Sequence, residues 1–374
     1  MTNDCLIRHA AAVLTGLPGA RARLPQGHGD VRVRQSKIHA TGALEPEPGE
    51  RVCDASNCVL APGWVNTHHH LFQRLLKGVP AGLNARLADW LAAVPVRHRR
   101  AFDHEAVFRL AVRVGLTELL LSGCTTVADH QYHHCPGMPF DATAVVFDEA
   151  EKLGVRMVVC RGVATQVRQI DATPSPQIAP EPLDLFFRRV ADDAARFNNT
   201  APDAMRRVVV APTTPNWSVK PDGLREIARF ARSLRLRMHS HLSETSDYGR
   251  HTAEVFGCTP LAFVERHEWV GPDVWFAHLV WVEEAERRLL AQTGTGMAHC
   301  PQCNARLGSD TAPVVELLRL GSAPVLCGRA LQTDAVWVGG KPVVRQGEIP
   351  GLDRSQLATR AREAVRHIIQ AVAG

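Results

Sequence analysis

Histidines 68, 69 and 70 stand in a row at the end of an apolar run, Pro62-Gly-Trp-Val-Asn-Thr-His-His-His70-Leu-Phe-Gln73. In extended backbone alternate side chains share a face, so His68 and His70 can reach one ion while His69 points away. A second group, His239-Ser-His241-Leu-Ser-Glu244, places two alternating imidazoles and a carboxylate in one short segment, and His278 closes a third apolar run, Trp275-Phe-Ala-His278. Imidazoles grouped in this way hold a divalent ion, such an ion acidifies water, and a neighbouring carboxylate can carry the proton. The chemistry on offer is metal-assisted hydrolysis. A single histidine at a strand end is more often a packed core residue. Three groups, each at the end of its own apolar run, are hard to explain by packing.

Positioning these groups needs a scaffold that brings several strand ends to one rim. From Pro62 onward apolar runs of strand type alternate with amphipathic segments. The runs are 59–65, 125–128, 155–159, 207–211, 236–241, 274–279, 294–299 and 323–327. Helical spacing occupies 105–121, 183–196, 224–234, 261–267, 282–292 and 311–320. This alternation predicts an α/β fold, a parallel (β/α)8 TIM-type barrel with its active site at the C-terminal ends of the strands; a doubly wound sheet is the competing arrangement. Short strands at 5–14, 31–38 and 52–60, with an alternating pair around Gly339-Gly340, predict a small β-sandwich built from both chain ends, and 355–372 reads as a closing helix. The expected divisions are 1–61, 62–330 and 331–374.

Composition sets outer limits. With 45% hydrophobic and 22% charged residues in 374, the chain has ample material for a large core. No apolar stretch is long enough to span a bilayer and the first thirty residues lack a secretory pattern, so a cytoplasmic location is expected. Five of the 43 basic residues are lysines and the rest are arginines scattered along the chain, which does not form a nucleic-acid footprint. The ten cysteines are spread out and read as reduced, buried, small hydrophobes. Cys300 and Cys303 form a lone C-x-x-C and are read as packing residues. The H-x-E with P-C-x-x-C pattern of the zinc nucleobase deaminases and the H-E-x-x-H helix of zinc peptidases are both absent from the sequence.

The motifs Pro62–Gln73 with His68-x-His70-x-x-Gln73, His241-Leu-Ser-Glu244, Ala277-His278 and His299-Cys-Pro-Gln-Cys-Asn304-Ala-Arg-Leu-Gly308 strongly resemble the amidohydrolase superfamily, in its cytosine/guanine deaminase-type branch. Ser122-Gly-Cys-Thr-Thr-Val-Ala-Asp129-His130, Pro139-Phe-Asp141 and Arg161-Gly-Val-Ala-Thr165-Gln166 bring it close to the isoxanthopterin deaminase and 8-oxoguanine deaminase families. The resemblance covers about 5–323 and 333–370. It implies one divalent ion, zinc or else iron, held by His68, His70, His241 and an aspartate at the end of the eighth strand. It also implies that Glu244 and His278 handle protons, that the reaction is a hydrolytic deamination releasing ammonia from a pterin- or purine-like ring, and that the chain self-associates into a homo-oligomer. A two-metal relative would want a bridging lysine at a strand end, and Lys152 and Lys220 do not stand at one.

One departure from the pattern matters. Where the family carries Gly-x-Asp, this chain reads Gly328-Arg-Ala330, and several tens of residues are missing between about 324 and 333. Three histidines alone can hold zinc, so the alternative is a catalytically impaired homologue that retains metal or ligand binding. Asp310 and Asp334 are the surrogate carboxylates to weigh, against plainer roles as a helix cap and a turn residue. For substrate contact Gln73 can donate to and accept from a planar heterocycle. Arg161, after the third strand, could pair with an oxo group or be a rim salt bridge; Trp217, after the fourth, could stack on the ring or anchor a loop.

Overall fold

The computed structural model describes residues 4–134, 136–166, 180–322, 324–326 and 333–373. Eight strands form one parallel sheet in sequential order: β1 (Trp64–His69), β2 (Cys124–Gln131), β3 (Arg156–Val163), β4 (Arg206–Pro212), β5 (Arg237–Leu242), β6 (Val274–His278), β7 (Gly296–His299) and β8 (Val325–Leu326). The sheet curls until β8 lies beside β1, although no ladder joins these two edges among the described residues. The result is the expected barrel, all but closed, with a two-residue eighth strand.

The connections carry the helices that cover the sheet: α1 (Glu105–Leu121), α2 (Ala142–Leu153), α3 (Leu183–Phe197), α4 (Pro221–Ser233), α5 (Ser246–Phe256), α6 (Pro260–Arg266), α7 (Glu284–Thr293), α8 (Pro301–Leu307) and α9 (Val314–Arg319). Their ends follow local chemistry. The Asp141 carboxylate accepts from the Ala144 N–H at 3.0 Å and so caps α2, which ends at Gly154 with φ 76°. Apolar faces of α1 and α2 bury Phe108, Leu116 and Phe147 against β2 and β3, and those of α4 and α6 bury Ile227, Leu261 and Val264 against β5 and β6. Inside the barrel Ala128, Cys160, Val209 and Ala211 fill the narrow centre. The indole N–H of Trp275 on β6 donates across the interior to the Thr67 carbonyl on β1, at 3.1 Å.

Outside the barrel four strands make a small sheet in the order Lys37–Gly42, Asp30–Arg34, Cys5–Arg8, Val52–Asp54. The reading of 31–38 as one strand is corrected here. Gln35 and Ser36 both lie at positive φ, 48° and 64°, and fold the segment into a hairpin. The run 59–65 is likewise divided: Val59–Leu60 pairs with Ala12–Val13, and the barrel strand begins only at Trp64. Pro62 interrupts the ladder, and Gly63 lets the chain pass Thr125, whose side chain would lie 2.3 Å from a Cβ at that position. Near the C-terminus Val336–Val338 and Lys341–Val344 form a hairpin. Its Trp337 packs into the apolar cluster of the N-terminal sheet, while the Arg51 guanidinium donates to the Gly340 carbonyl at 2.8 Å. The closing helix α10 spans Arg354–Ala373. Among the described residues no helix is long and apolar enough to cross a membrane.

Candidate active site

The strand ends deliver the histidines to one place. The rings of His68 on β1, His70 just past its end and His241 from β5 approach one another, with centroid separations of 4.7 Å for His68–His70, 4.7 Å for His68–His241 and 5.2 Å for His70–His241. His130, from the end of β2, stacks on His241 at 4.6 Å, and His68, His130 and His241 offer nitrogens within 4.8 Å of one another. His278 ends β6 with its ring 5.5 Å from that of His68. Burial makes the charged forms costly here: it holds His70 down to about 4 and His239 to about 3, and it holds His68, His130 and His241 well below the usual histidine range. The rings are therefore neutral, each with one N–H and one lone pair.

Hydrogen bonds fix which nitrogen carries the lone pair. His70 Nδ1 donates to the His130 carbonyl at 2.9 Å and His241 Nδ1 donates to the Thr213 carbonyl at 2.6 Å. The two Nε2 atoms consequently face each other as acceptors, 3.1 Å apart. Two lone pairs at that separation repel unless a cation lies between or beside them. His239 Nδ1 donates to the Trp275 carbonyl at 3.0 Å, so its Nε2 accepts from His68 Nδ1 at 2.9 Å and leaves His68 Nε2 as a donor to an ion. The residues present fit a divalent metal. Sequence alternation grouped His239 with His241; in the fold His239 instead orients His68.

Around this set lie the groups that could move protons. Glu244 is buried just past β5, its Oε2 3.5 Å from His278 Nε2, and its Oε1 has no hydrogen-bond partner. His278 Nδ1 donates to Asn304 Oδ1 at 2.8 Å. The chain turns sharply at these strand ends: Ser243, His278 and Leu279 lie at φ 51°, 77° and 44°, a strained backbone of the kind that collects at functional sites. Asp129 is fully buried, accepts from the Leu71 N–H at 2.7 Å, and is pushed up to about 7 by burial. Asp310 is exposed with its carboxylate on the Thr311 N–H, and Asp334 is exposed as well. Neither belongs to the candidate metal clusters of the described residues, which contain no carboxylate. Ala330, where an eighth-strand aspartate was expected, lies outside the described residues.

Beside the histidines opens a cavity of about 840 Å³, lined by Trp217, His251, Trp281, His299 and Asn304 among others, a size that suits a small heterocycle. Trp217 sits against Tyr248 with ring centroids 4.5 Å apart. The Gln73 amide N–H donates to the Tyr132 hydroxyl, and the Tyr132 ring lies 5.1 Å from that of His70. Arg161 is fully buried and grips both carboxylate oxygens of Glu181 at 2.8 Å, with Asp193 3.9 Å away. His130 and Glu181 carried no functional weight in the sequence. His130 had a usable signal, its place at a strand end; Glu181, 20 residues from its partner, had none.

Asp193 gives a pH prediction. Burial pushes its carboxyl up to about 6 from an ordinary 3.8, against the pull of Arg161, with Asp141, Arg196 and the Thr143 hydroxyl as its other neighbours. A raised acid makes its full contribution to stability below the unfolded value and loses it as pH rises through the folded one. The loss amounts to about 3 kcal/mol. In Asp193→Asn this decline should disappear, so the variant's urea midpoint should rise relative to that of the wild type between pH 4 and 7. Parallel midpoints over that range would count against the assignment.

A model of the amidohydrolase family matches residues 59–346. The chain belongs to the amidohydrolase family. Among amidohydrolase relatives it is 54% identical over 326 residues to an isoxanthopterin deaminase from an unknown prokaryotic organism, covering 86% of this chain and 67% of that one. It is 35% identical to the 8-oxoguanine deaminase of Pseudomonas aeruginosa, covering 78% of this chain and 64% of that protein. The chain thus spans about two thirds of the length of these curated relatives. Among solved structures it is similar to an amidohydrolase from a Sargasso Sea environmental sample, with TM-score 0.83, 37% identity, and coverage of 99% of this chain and 100% of that one. It shares its fold with the atrazine chlorohydrolase of Arthrobacter aurescens, solved with zinc, at TM-score 0.87 and 21% identity over 96% of this chain and 100% of that one.

Proposed function

We propose that this amidohydrolase is a hydrolytic deaminase of an aminated pterin- or purine-like ring, of the isoxanthopterin or 8-oxoguanine type, working with one divalent ion, zinc in preference to iron. The observation that carries the proposal is the pair of lone-pair nitrogens of His70 and His241 facing each other at 3.1 Å in a buried, neutral cluster. His68, His70 and His241 would hold the ion. When bound, a divalent ion lowers the pKa of water from 15.7 to about 7 and so makes hydroxide available at neutral pH.

The chain's own groups do the rest. Glu244 accepts the proton of the attacking water on its unpartnered oxygen and passes it to a ring nitrogen beside the amino-bearing carbon, which becomes more electrophilic. His278, held by Asn304 and facing Glu244, orients the nucleophile. The water oxygen bonds to that carbon, its remaining proton passes to the amino group, the C–N bond breaks, ammonia leaves, and the carbon keeps the oxygen as an oxo group. Gln73, oriented by Tyr132, would read adjacent N–H and C=O groups of the ring, and Trp217 would cover its face. Arg161, held on both carboxylate oxygens of Glu181, would serve as a salt bridge and not as a contact to the ring.

The test is metal analysis together with ammonia release from isoxanthopterin, 8-oxoguanine and guanine. The expected result is about one ion per chain and ammonia from at least one substrate, abolished by a chelator and restored by zinc. A chain that binds no metal sinks the proposal. The absence of a carboxylate from the described clusters favours a second reading, a catalytically impaired homologue that still binds metal. Stoichiometric zinc with no ammonia from any of the three substrates would establish that reading instead.

A further inference from the structure

Trp281 stands three residues past His278, is 46% exposed, and lines the cavity with His299 and Asn304. A single exposed apolar side chain is ordinary on a protein surface, but this one is held fast. The Val280 and Trp281 N–H groups both donate to the Ser243 carbonyl at 3.0 Å, which ties the turn after β6 to the residue before Glu244. The indole N–H donates to the carbonyl of buried Ser309 at 3.0 Å. Ser309 donates through its own N–H to the Asn304 carbonyl at 2.9 Å, and the Asn304 side chain holds His278. Asp310, next in the chain and also in the cavity wall, turns at φ 91°, a conformation that costs a non-glycine residue strain and persists only where its surroundings enforce it. With its one polar group satisfied, the indole has only its π surface left to offer. Trp217 already packs on the rings of Tyr248 and His251, at centroid distances of 4.5 and 5.4 Å, whereas no ring contacts Trp281 among the described residues.

We propose that Trp281 is a stacking platform for the substrate ring and selects flat aromatic heterocycles. This rests on the proposed function and deepens it, since Trp281 has no part in the chemistry given there. An indole already fixed in place gives up little conformational freedom when a planar ring settles on it. Its backbone ties put such a ring beside Glu244 and His278, the two groups assigned to the proton and the nucleophile. The stacked contact is the same before and during reaction, so it strengthens substrate and transition-state binding alike; its loss raises KM and leaves kcat unchanged.

Equilibrium binding of isoxanthopterin and 8-oxoguanine to the zinc-loaded full chain tests it, in a Glu244→Gln parent so that the rings are not consumed. Adding Trp281→Ala should weaken binding about 5–150-fold, the loss that follows removal of one base-stacking aromatic. Trp281→Leu, apolar but not aromatic, should stay weak, while Trp281→Phe should recover most of the affinity. Bound zinc should match the parent in each. Unchanged affinity in Trp281→Ala, or equal recovery by leucine and phenylalanine, would overturn the inference and leave the histidine site standing. A parent that binds neither ring would remove the substrate class of the proposed function and this inference with it, a different outcome from binding that ignores Trp281. A second measurement does not depend on the alanine variant folding. In the parent labelled with 5-fluorotryptophan, the fluorine resonance that Trp281→Phe removes should move when isoxanthopterin is added, and a resonance that stays in place while the ring binds would overturn the platform.

Discussion

Glu244→Gln is expected to bind metal at wild-type stoichiometry and to release ammonia about 10²–10⁴ times more slowly, the range spanned by loss of a positioned general acid–base group. The glutamine keeps the shape and the neighbourhood of His278 but cannot take up a proton. Because Glu244 acts on the proton in flight rather than on the resting ring, the loss should fall on kcat with KM little changed. Its orphaned Oε1 supports this assignment: a buried carboxylate oxygen without a partner is costly unless a transient one arrives. Steady-state kinetics with metal analysis on the same preparation measures both halves. A variant retaining more than a tenth of wild-type turnover would remove Glu244 from the mechanism, and one that had lost its metal would recast it as a ligand.

The second large effect concerns the facing nitrogens. His70→Ala and His241→Ala should each lower metal affinity by more than the 10–100-fold that accompanies loss of a partner outside the ligand shell, and activity should fall with it. His239→Ala should be milder. It leaves every proposed ligand in place and removes only the acceptor that holds the His68 tautomer, so its expected cost is that same 10–100-fold. Titration with a competing chromophoric chelator gives the affinities directly. Equal losses from all three substitutions would contradict the division between ligands and supporting residue, and unchanged affinity in His70→Ala or His241→Ala would remove that residue from the proposed ligand set.

Much of this architecture could be read from the residues because the relevant signals are periodic and local. Glu105–Leu121 was legible to its ends, since apolar positions recur at helical spacing between His104 and the Ser122-Gly123 break. The histidine pairs could be placed because alternation in a strand is strict and barrels expose strand ends on one rim. What escaped depends on contacts made at long range or on backbone conformations that residue type does not announce. Gln35-Ser36 turns through positive φ without the glycine or asparagine that usually marks such a hairpin. His130 and Cys300 each stand alone at a strand end, and only the curl of the sheet brings them to the other imidazoles. Arg161 looked available for a ligand until Glu181 was found holding it on both oxygens.

The seam between β1 and β8 has a mechanical consequence. Among the described residues His68 rides on, and His70 directly follows, a strand that is zipped to a neighbour on one side only, whereas His241 belongs to β5, which is zipped on both. An ion shared between them would act as a rivet across the mouth of the cylinder, tying an edge stave to one of its firmest. Stripping the ion should then do more than silence chemistry: amide protons along β1 should become the quickest to exchange, and the whole cylinder should unfold at lower temperature.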